Sequence, residues 1–408
     1  MPSLLKPDQL ASLLRPGMRV FVQGSSSEPT ALLEALRATP DACAGVEFIA
    51  CQIPGLNRVD FAGLHRDARF TGLFVTPEMT ESFRAGKVRF MPLAYSGMYR
   101  YLEARPIDVA LIQVTPAGPD GAFTLGSSAH FAPAVLSSAK TVVAEINEDL
   151  PIVGQSVSID RARLDYVLPT AHGLPEIDPG PPADVSLKIG AHIAELVRDG
   201  DRVQVGIGKV PSAVLDALRA HRGLVCHGGL ISDAMIDLQE AGALDPASPL
   251  TCTSVIGTKR LYDWVRDNDQ VHVRPVGDTH DVGAMADLER FVAINSVLAV
   301  DLGGQANAET VNGRQVGGSG GLSDFVRGAQ LSRGGRSILA LPSTAGRGTI
   351  SRIVPALAND IASCPRVDAD YVVTEHGIAD LRYKSLEERA ESLIAIADPS
   401  FRNDLSDR

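Results

Sequence analysis

Four short stretches of this chain carry residues able to do chemistry, and each reads as a loop. In "VGIGKVP", Val205 to Pro211, Gly206 and Gly208 let backbone N–H groups come close to a ligand because neither carries a side chain; a tight turn from strand to helix explains the same letters. In "LVCHGGLISDAMIDL", Leu224 to Leu238, a strand ends near His227 and Gly228-Gly229 turn the chain. Ser232 or Asp233 then caps a helix whose apolar face is Leu230, Met235 and Leu238. The densest glycine cluster is "QVGGSGGLSDF", Gln315 to Phe325, read as a loop entering a helix at Asp324 or Phe325, whose backbone donors can hold phosphate or amide oxygens. Residues Gly317 to Gly321 also spell G-x-S-x-G, with Asp370 and His376 downstream in hydrolase order. That motif needs a buried strand entering the serine, whereas "ETVNGRQV" is polar and broken for turns. In the fourth stretch, "VAINSVLAVDLGGQ", Asn295 could offer an amide to a developing oxyanion or simply stand beside a strand.

Elements that would position these loops recur in two halves. "PGMRVFVQGSSSEPTALLEALR", from Pro16, aligns with "DGDRVQVGIGKVPSAVLDALR", from Asp199, pairing Arg19 with Arg202, Val22 with Val205 and Leu36 with Leu218. "DYVLPTAHG" from Asp165 recurs as "DYVVTEHG" from Asp370. In the second half we expect a helix over Ala191 to Arg198, a strand over Arg202 to Val205 and a helix over Ser212 to Ala220, with Pro211 in its first turn. Apolar runs beginning at Val46, Asp108, Thr141, Asp165, Ser296, Ser337 and Asp370 read as buried strands, most of them following a helix-length segment. The pattern predicts an α/β protein built on parallel sheets. "LPEIDPGPPADVS", Leu174 to Ser186, holds four prolines and a glycine and marks a boundary near Gly180, giving domains 1–180 and 181–408.

Composition narrows the partners. The 408 residues are 45% hydrophobic, enough to fill two cores, and 38 basic against 49 acidic side chains give a net charge of −11. That balance disfavours nonspecific attraction to nucleic acid or an anionic membrane, so an anionic ligand must meet local donors. Five scattered cysteines without C-x-x-C spacing fit a reducing cytoplasm, and neither an export signal nor an 18-residue apolar run is found. The nine histidines show no H-x-x-x-H or H-E-x-x-H spacing, and "GRGTISR" lacks the G-K-[ST] of a phosphate loop, so no metal site is expected.

From "RVFVQGSSSEPTALLEAL" through "PIDVALIQVTPAGPDGAFTLGSS", "RVQVGIGKVPSAVLDAL" and "GGSGGLSDFVRGAQLSRGGRSILALPSTA" to "DYVVTEHGIADLRYKSLEERAESLIAIADPSFR", the chain resembles the acetyl-CoA hydrolase/transferase family, which includes 4-hydroxybutyrate and acetate CoA-transferases. The resemblance implies two similar open parallel-sheet domains of the CoA-transferase type with the active site between them. It further implies a short acyl-CoA thioester and a carboxylate as substrates, no permanently bound cofactor, a homodimer, and acetate or acyl-CoA metabolism in the cytoplasm. In such relatives a glutamate attacks the acyl-CoA, passes through an acyl anhydride and becomes an enzyme–CoA thioester.

The family stretch resembles H-[ST]-E-M-x-S-D-G. Here "HGGLISDA" matches at His227, Ser232 and Asp233, but the glutamate position falls on Gly229. The CoA-binding pattern G-x-G-G is kept as Gly318, Gly320 and Gly321, beside Gly206 and Gly208, and Asn295 resembles the family's active-site asparagine. Four consequences stay open. Glu28, in the first-half turn equivalent to "GIGK", could replace the nucleophile, although a solvated acid near a helix start explains it as well. Gly229 could leave room for water, with His227 or Asp233 as general base and acyl-CoA hydrolysis as the outcome. The chain could bind CoA thioesters without turnover, or a partner subunit could supply the missing group.

Overall fold

The computed structural model describes residues 2–119, 121–266 and 268–407. The chain divides into two compact units, one of Met1–Ile177 with Thr251–Asp278, the other of Asp178–Leu250 with Thr279–Arg408.

The first unit is built on eight strands: Ser3–Leu4 (β1), Arg19–Val22 (β2), Glu47–Ala50 (β3), Arg69–Gly72 (β4), Val88–Phe90 (β5), Val109–Val114 (β6), Thr141–Asn147 (β7) and Tyr166–Thr170 (β8). They lie in the order β1-β8-β7-β6-β2-β3-β4-β5, and every neighbouring pair is parallel. A parallel sheet is covered on both faces, which is why β6 is buried at all its positions and reads as a continuous apolar run broken only by Gln113. Helix Thr30–Ala38 (α1) turns Leu32, Leu33, Ala35 and Leu36 inward, onto a core that includes the stacked rings of Phe48, Phe61 and Phe70, with centroids 5.4 and 5.8 Å apart. Pro29 stands at the N-cap of α1 and has no side-chain acceptor to give. The orphan N–H groups of Ala31 and Leu32 donate instead to Glu145 Oε2 on β7, at 2.9 and 3.1 Å, so a fully buried carboxylate caps the helix from across the fold. The segment 251–278 joins this unit through Ser254 Oγ to Ser128 Oγ, 2.7 Å, and Tyr262 OH donating to the Pro175 carbonyl, 2.7 Å.

The second unit repeats the plan with Arg202–Val205 (β9), Val225–Cys226 (β10), Phe291–Ser296 (β11), Arg336–Ala340 (β12), Tyr371–Thr374 (β13) and Gly377–Asp380 (β14). Their order is β10-β9-β11-β12-β13-β14, parallel except for the last pair. The run β8-β7-β6-β2-β3 of the first sheet thus matches β13-β12-β11-β9-β10 of the second. β2 and β9, the pair aligned from Arg19 and Arg202, take equivalent places with one burial pattern. Helices Asp184–Leu196 (α2) and Lys209–Ala217 (α3) flank β9, and α3 starts earlier than Ser212, placing Pro211 at its third position. The core joins Val300, Leu322, Val326, Leu339, Val372, Leu393 and Ile396.

One strand expected from the sequence forms outside the main sheet. "SVLAVDL" is not a strand of the main sheet, which takes Phe291–Ser296; Ala299–Asp301 pairs with Ala306–Asn307 and Ile353–Val354 in a separate small sheet. Both segments are apolar, and composition does not show that the chain leaves the sheet at Ser296.

Candidate functional site

In parallel α/β sheets ligands meet the loops at the carboxyl ends of strands. In the second unit the loops leaving β9, β10 and β11 bring several candidate residues together. Gln204, buried in β9, accepts through Oε1 from Asn295 Nδ2 on β11 at 3.1 Å, which leaves the Asn295 amide oriented by its neighbour. Gly208, with φ of 118°, is the N-cap of α3, and Gly206 lines a narrow, largely apolar cleft with Val205, Cys226, Leu230, Ser232 and Met235. Burial pushes the Cys226 thiol up to about 12, so it is no nucleophile at neutral pH.

His227 follows β10, and its backbone N–H donates to the Val203 carbonyl at 3.1 Å. Its Nε2 lies 3.1 Å from the Thr279 carbonyl, which can only accept, so that nitrogen carries the proton. Burial holds the ring below the ordinary histidine range and keeps it neutral, with Nε2 already engaged. Asp233 is half-buried at the N-cap of the helix Ala234–Glu240 (α4) and does not cap it through its side chain.

The ring next to Gly229 belongs to His280, which sequence reasoning did not single out. A β-carbon on Gly229 would stand 3.4 Å from His280 Cε1 and Nε2, an ordinary contact. One on Gly321 would stand only 2.6 Å from Nε2 and 2.8 Å from Phe325 Cε2, so this position requires glycine as long as the rings stay where they are. Gly321 caps the helix Leu322–Leu331 (α5), which therefore begins before Asp324, and Asp324 is buried in its first turn. Ahead of it, Gly320 has φ of 57°, the left-handed region. The half-buried Gly318 belongs to a loop pinned from behind, where the Val316 and Gly317 N–H groups donate to the Glu309 carbonyl and Gln315 Nε2 donates to the Gly317 carbonyl at 2.9 Å.

The alternative G-x-S-x-G arrangement is not assembled. The chain enters it from the two-stranded ladder Thr310–Val311 with Arg314–Gln315. Asp370 sits before β13, accepting from the Ser337 N–H, while His376 follows that strand's other end near Asp398.

In the first unit Glu28 follows β2 and a turn of three buried serines, Ser25–Ser27. Glu28 itself is 8% exposed, and burial raises its carboxyl to about 7 against the opposing effects of an Asn57 hydrogen bond and the Arg37 charge. Ser25 has φ of 64°, unusual for a residue with a side chain, and is clamped by Asn57, which accepts from its N–H at 2.9 Å and donates to its carbonyl at 3.0 Å. The buried Ser25 Oγ, Gln52 Oε1, Thr76 Oγ1 and His130 Nε2 have no hydrogen-bond partner among the described residues. These side chains stand in the loops after β2, β3, β4 and β6, the end of the sheet where ligands bind. A solvated turn does not describe Glu28; no feature of its own sequence neighbourhood distinguishes it from one.

Among the described residues no group of three His, Cys, Asp or Glu side chains could hold a metal ion, and no helix is long and apolar enough to cross a membrane.

Comparison with known proteins agrees with this fold. Residues 2–172 match the acetyl-CoA hydrolase/transferase N-terminal domain, and residues 257–408 match the C-terminal domain. The chain is 35% identical to 4-hydroxybutyrate coenzyme A transferase of Clostridium kluyveri over 98% of this chain and 96% of that one. It is 33% identical to succinyl-CoA:cyclohexane-1-carboxylate CoA transferase of Geobacter metallireducens over 98% and 93%. The crystal structure of RipA from Yersinia pestis superposes with a TM-score of 0.92 at 29% identity, covering 99% of this chain and 96% of that one. Two sheets that share a run of five parallel strands in one order, and domain matches in both halves, lead to one conclusion: the chain belongs to the acetyl-CoA hydrolase/transferase family.

Proposed function

We propose that this protein binds a short acyl-CoA and passes its CoA to a carboxylate, as a CoA-transferase whose nucleophile is not residue 229. The reaction class rests on the 35% identity to a named CoA transferase over 98% of the chain. Backbone donors around Gly206, Gly208, Gly318, Gly320 and Gly321 would hold the CoA portion, and the Asn295 amide, held by Gln204, would orient the thioester or carboxylate.

Gly229 stands at the position where the family pattern has its glutamate and offers no side chain, so the carboxylate must come from elsewhere. We assign the role to Glu28. A buried carboxyl with pKa about 7 is substantially ionised at neutral pH and more basic than an ordinary glutamate, properties that suit a nucleophile. Its carboxylate would attack the thioester carbonyl, forming a mixed anhydride and releasing CoA thiolate. The thiolate would then attack the Glu28 carbonyl, expelling the acid and leaving a Glu28–CoA thioester that a second carboxylate reverses.

Hydrolysis is the second reading. Its direct support would be space for water at Gly229 with His227 or Asp233 as base, yet His227 Nε2 is engaged by Thr279 and the ring nearest Gly229 is that of His280. A time course with a panel of short acyl-CoAs, with and without acetate and other carboxylates, separates the readings by mass spectrometry. New thioesters, together with a CoA adduct on the Glu28 peptide, are expected. Free CoA without new thioesters would replace transfer by hydrolysis, and an adduct elsewhere would remove Glu28 from the role.

A further inference from the structure

The space beside Gly229 is filled by a buried pair of rings. His280 and Phe325 are 1% and 3% exposed, with centroids 4.4 Å apart and planes inclined by 46°. His280 Cε1 and Nε2 lie 3.4 Å, and Phe325 Cε2 3.8 Å, from where a β-carbon on residue 229 would be. A glutamate carboxylate reaches a comparable distance from its own β-carbon, so the imidazole edge stands in the shell that such a group would need. Three features hold the ring there. Gly321 presents bare backbone to Nε2, Thr279 Oγ1 lies 2.9 Å from Nδ1, and the Thr279 carbonyl is itself bound by His227 Nε2.

We propose that His280, backed by Phe325, is a plug that occupies the volume of a nucleophilic side chain at position 229, so that a glutamate introduced there forms no covalent CoA intermediate while the imidazole stays in place. The glycine and the histidine then act as a pair. On this proposal, replacing Gly229 alone does not recreate a nucleophile, because a carboxylate extended toward His280 would have to displace the imidazole edge. The chemical part of this inference rests on the reading that CoA thioesters react beside the glycine loops; the steric part does not.

The test is a double-mutant cycle on the full chain with Gly229→Glu, His280→Ala and the two combined. Two readouts are used: thermal midpoint, and CoA-adduct mapping of the 229 peptide after incubation with acetyl-CoA and butyryl-CoA. Gly229→Glu alone should lower Tm by several degrees and form no adduct, while in the His280→Ala background the same substitution should lower Tm much less and form the adduct. Additive Tm changes would overturn the steric claim, and so would an adduct in Gly229→Glu alone equal to that of the double variant. Coupled stabilities without an adduct, in a double variant that still binds acyl-CoA by calorimetry, would overturn the claim that the plug keeps the position silent. If wild-type protein binds no acyl-CoA, the functional reading fails, and the stability cycle still decides whether His280 excludes a side chain at 229. Should neither glutamate variant fold, Gly229→Val in both backgrounds reads the same coupling.

Discussion

Gly321→Ala and Gly229→Ala probe the same imidazole from two sides and should give opposite results. At Gly321 the new methyl would stand 2.6 Å and 2.7 Å from His280 Nε2 and Cδ2 and 2.8 Å from Phe325 Cε2, closer than atoms tolerate. Both rings are buried, so one of them must shift inside a packed core, at a cost of about 1–3 kcal/mol. Alanine is also a poorer N-cap than glycine, which adds to the loss at the start of α5. At Gly229 the methyl meets His280 at 3.4 Å, an ordinary contact, and its backbone is not in the left-handed region. Restricting the unfolded chain there should stabilise by about 0.4–1 kcal/mol. The two variants should therefore differ by roughly 1.4–4 kcal/mol, taking the overpacking and glycine-to-alanine values together. Urea unfolding followed by far-UV circular dichroism reads the difference. The single tryptophan, Trp264, lies in the first unit, so its fluorescence reports that unit and shows whether the loss is confined to the second. Repeating Gly321→Ala in a His280→Ala background isolates the His280 part of the collision, because the Phe325 contact and the cap are unchanged. Equal stabilities of Gly321→Ala and Gly229→Ala would refute the placement of His280.

Three further outcomes follow from other parts of the structure. Gly320→Leu puts a branched side chain at φ of 57°, which should cost about 1–3 kcal/mol and weaken CoA binding by calorimetry; unchanged affinity would remove that loop from the site. Folding raises the Glu28 carboxyl to about 7, so its stabilising contribution is full below the unfolded value near 4.5 and is lost as pH rises through 7. At about 1.4 kcal/mol per pKa unit, wild type should lose about 3 kcal/mol relative to Glu28→Gln between pH 4.5 and 8, and parallel urea midpoints would contradict the burial. The hydrogen bond that the His172 ring donates to the Glu145 carboxylate raises the His172 pKa, so that contribution is full below about 6.5 and fades as pH climbs through the higher folded value; His172→Gln should flatten this slope, and an unchanged slope would show that the pair does not form.

Much of the fold was legible because parallel strands buried on both faces leave continuous apolar runs. Those from Val46, Asp108, Thr141, Asp165, Ser337 and Asp370 each became a sheet strand within a residue or two. The repeated segments around Arg19 and Arg202 marked equivalent strands because a duplicated βα unit keeps its turn glycines and its inward-facing valines. "SVLAVDL" holds the strand Ala299–Asp301, but which sheet it joins was not legible, because apolarity reports burial and not the sheet in which a strand pairs.

The sequence by itself determined the family, the strand-loop punctuation and the absence of a side chain at residue 229, since all three are carried by residue types in fixed order. Only the tertiary structure decided what surrounds those residues. It brought His280 against Gly229 and Gly321, buried Glu28 so that its carboxyl rises to about 7, and carried Glu145 to the start of α1 where Pro29 cannot cap. Each of these depends on contacts between residues far apart along the chain. Hydrophobic period and turn chemistry are local and encode none of them.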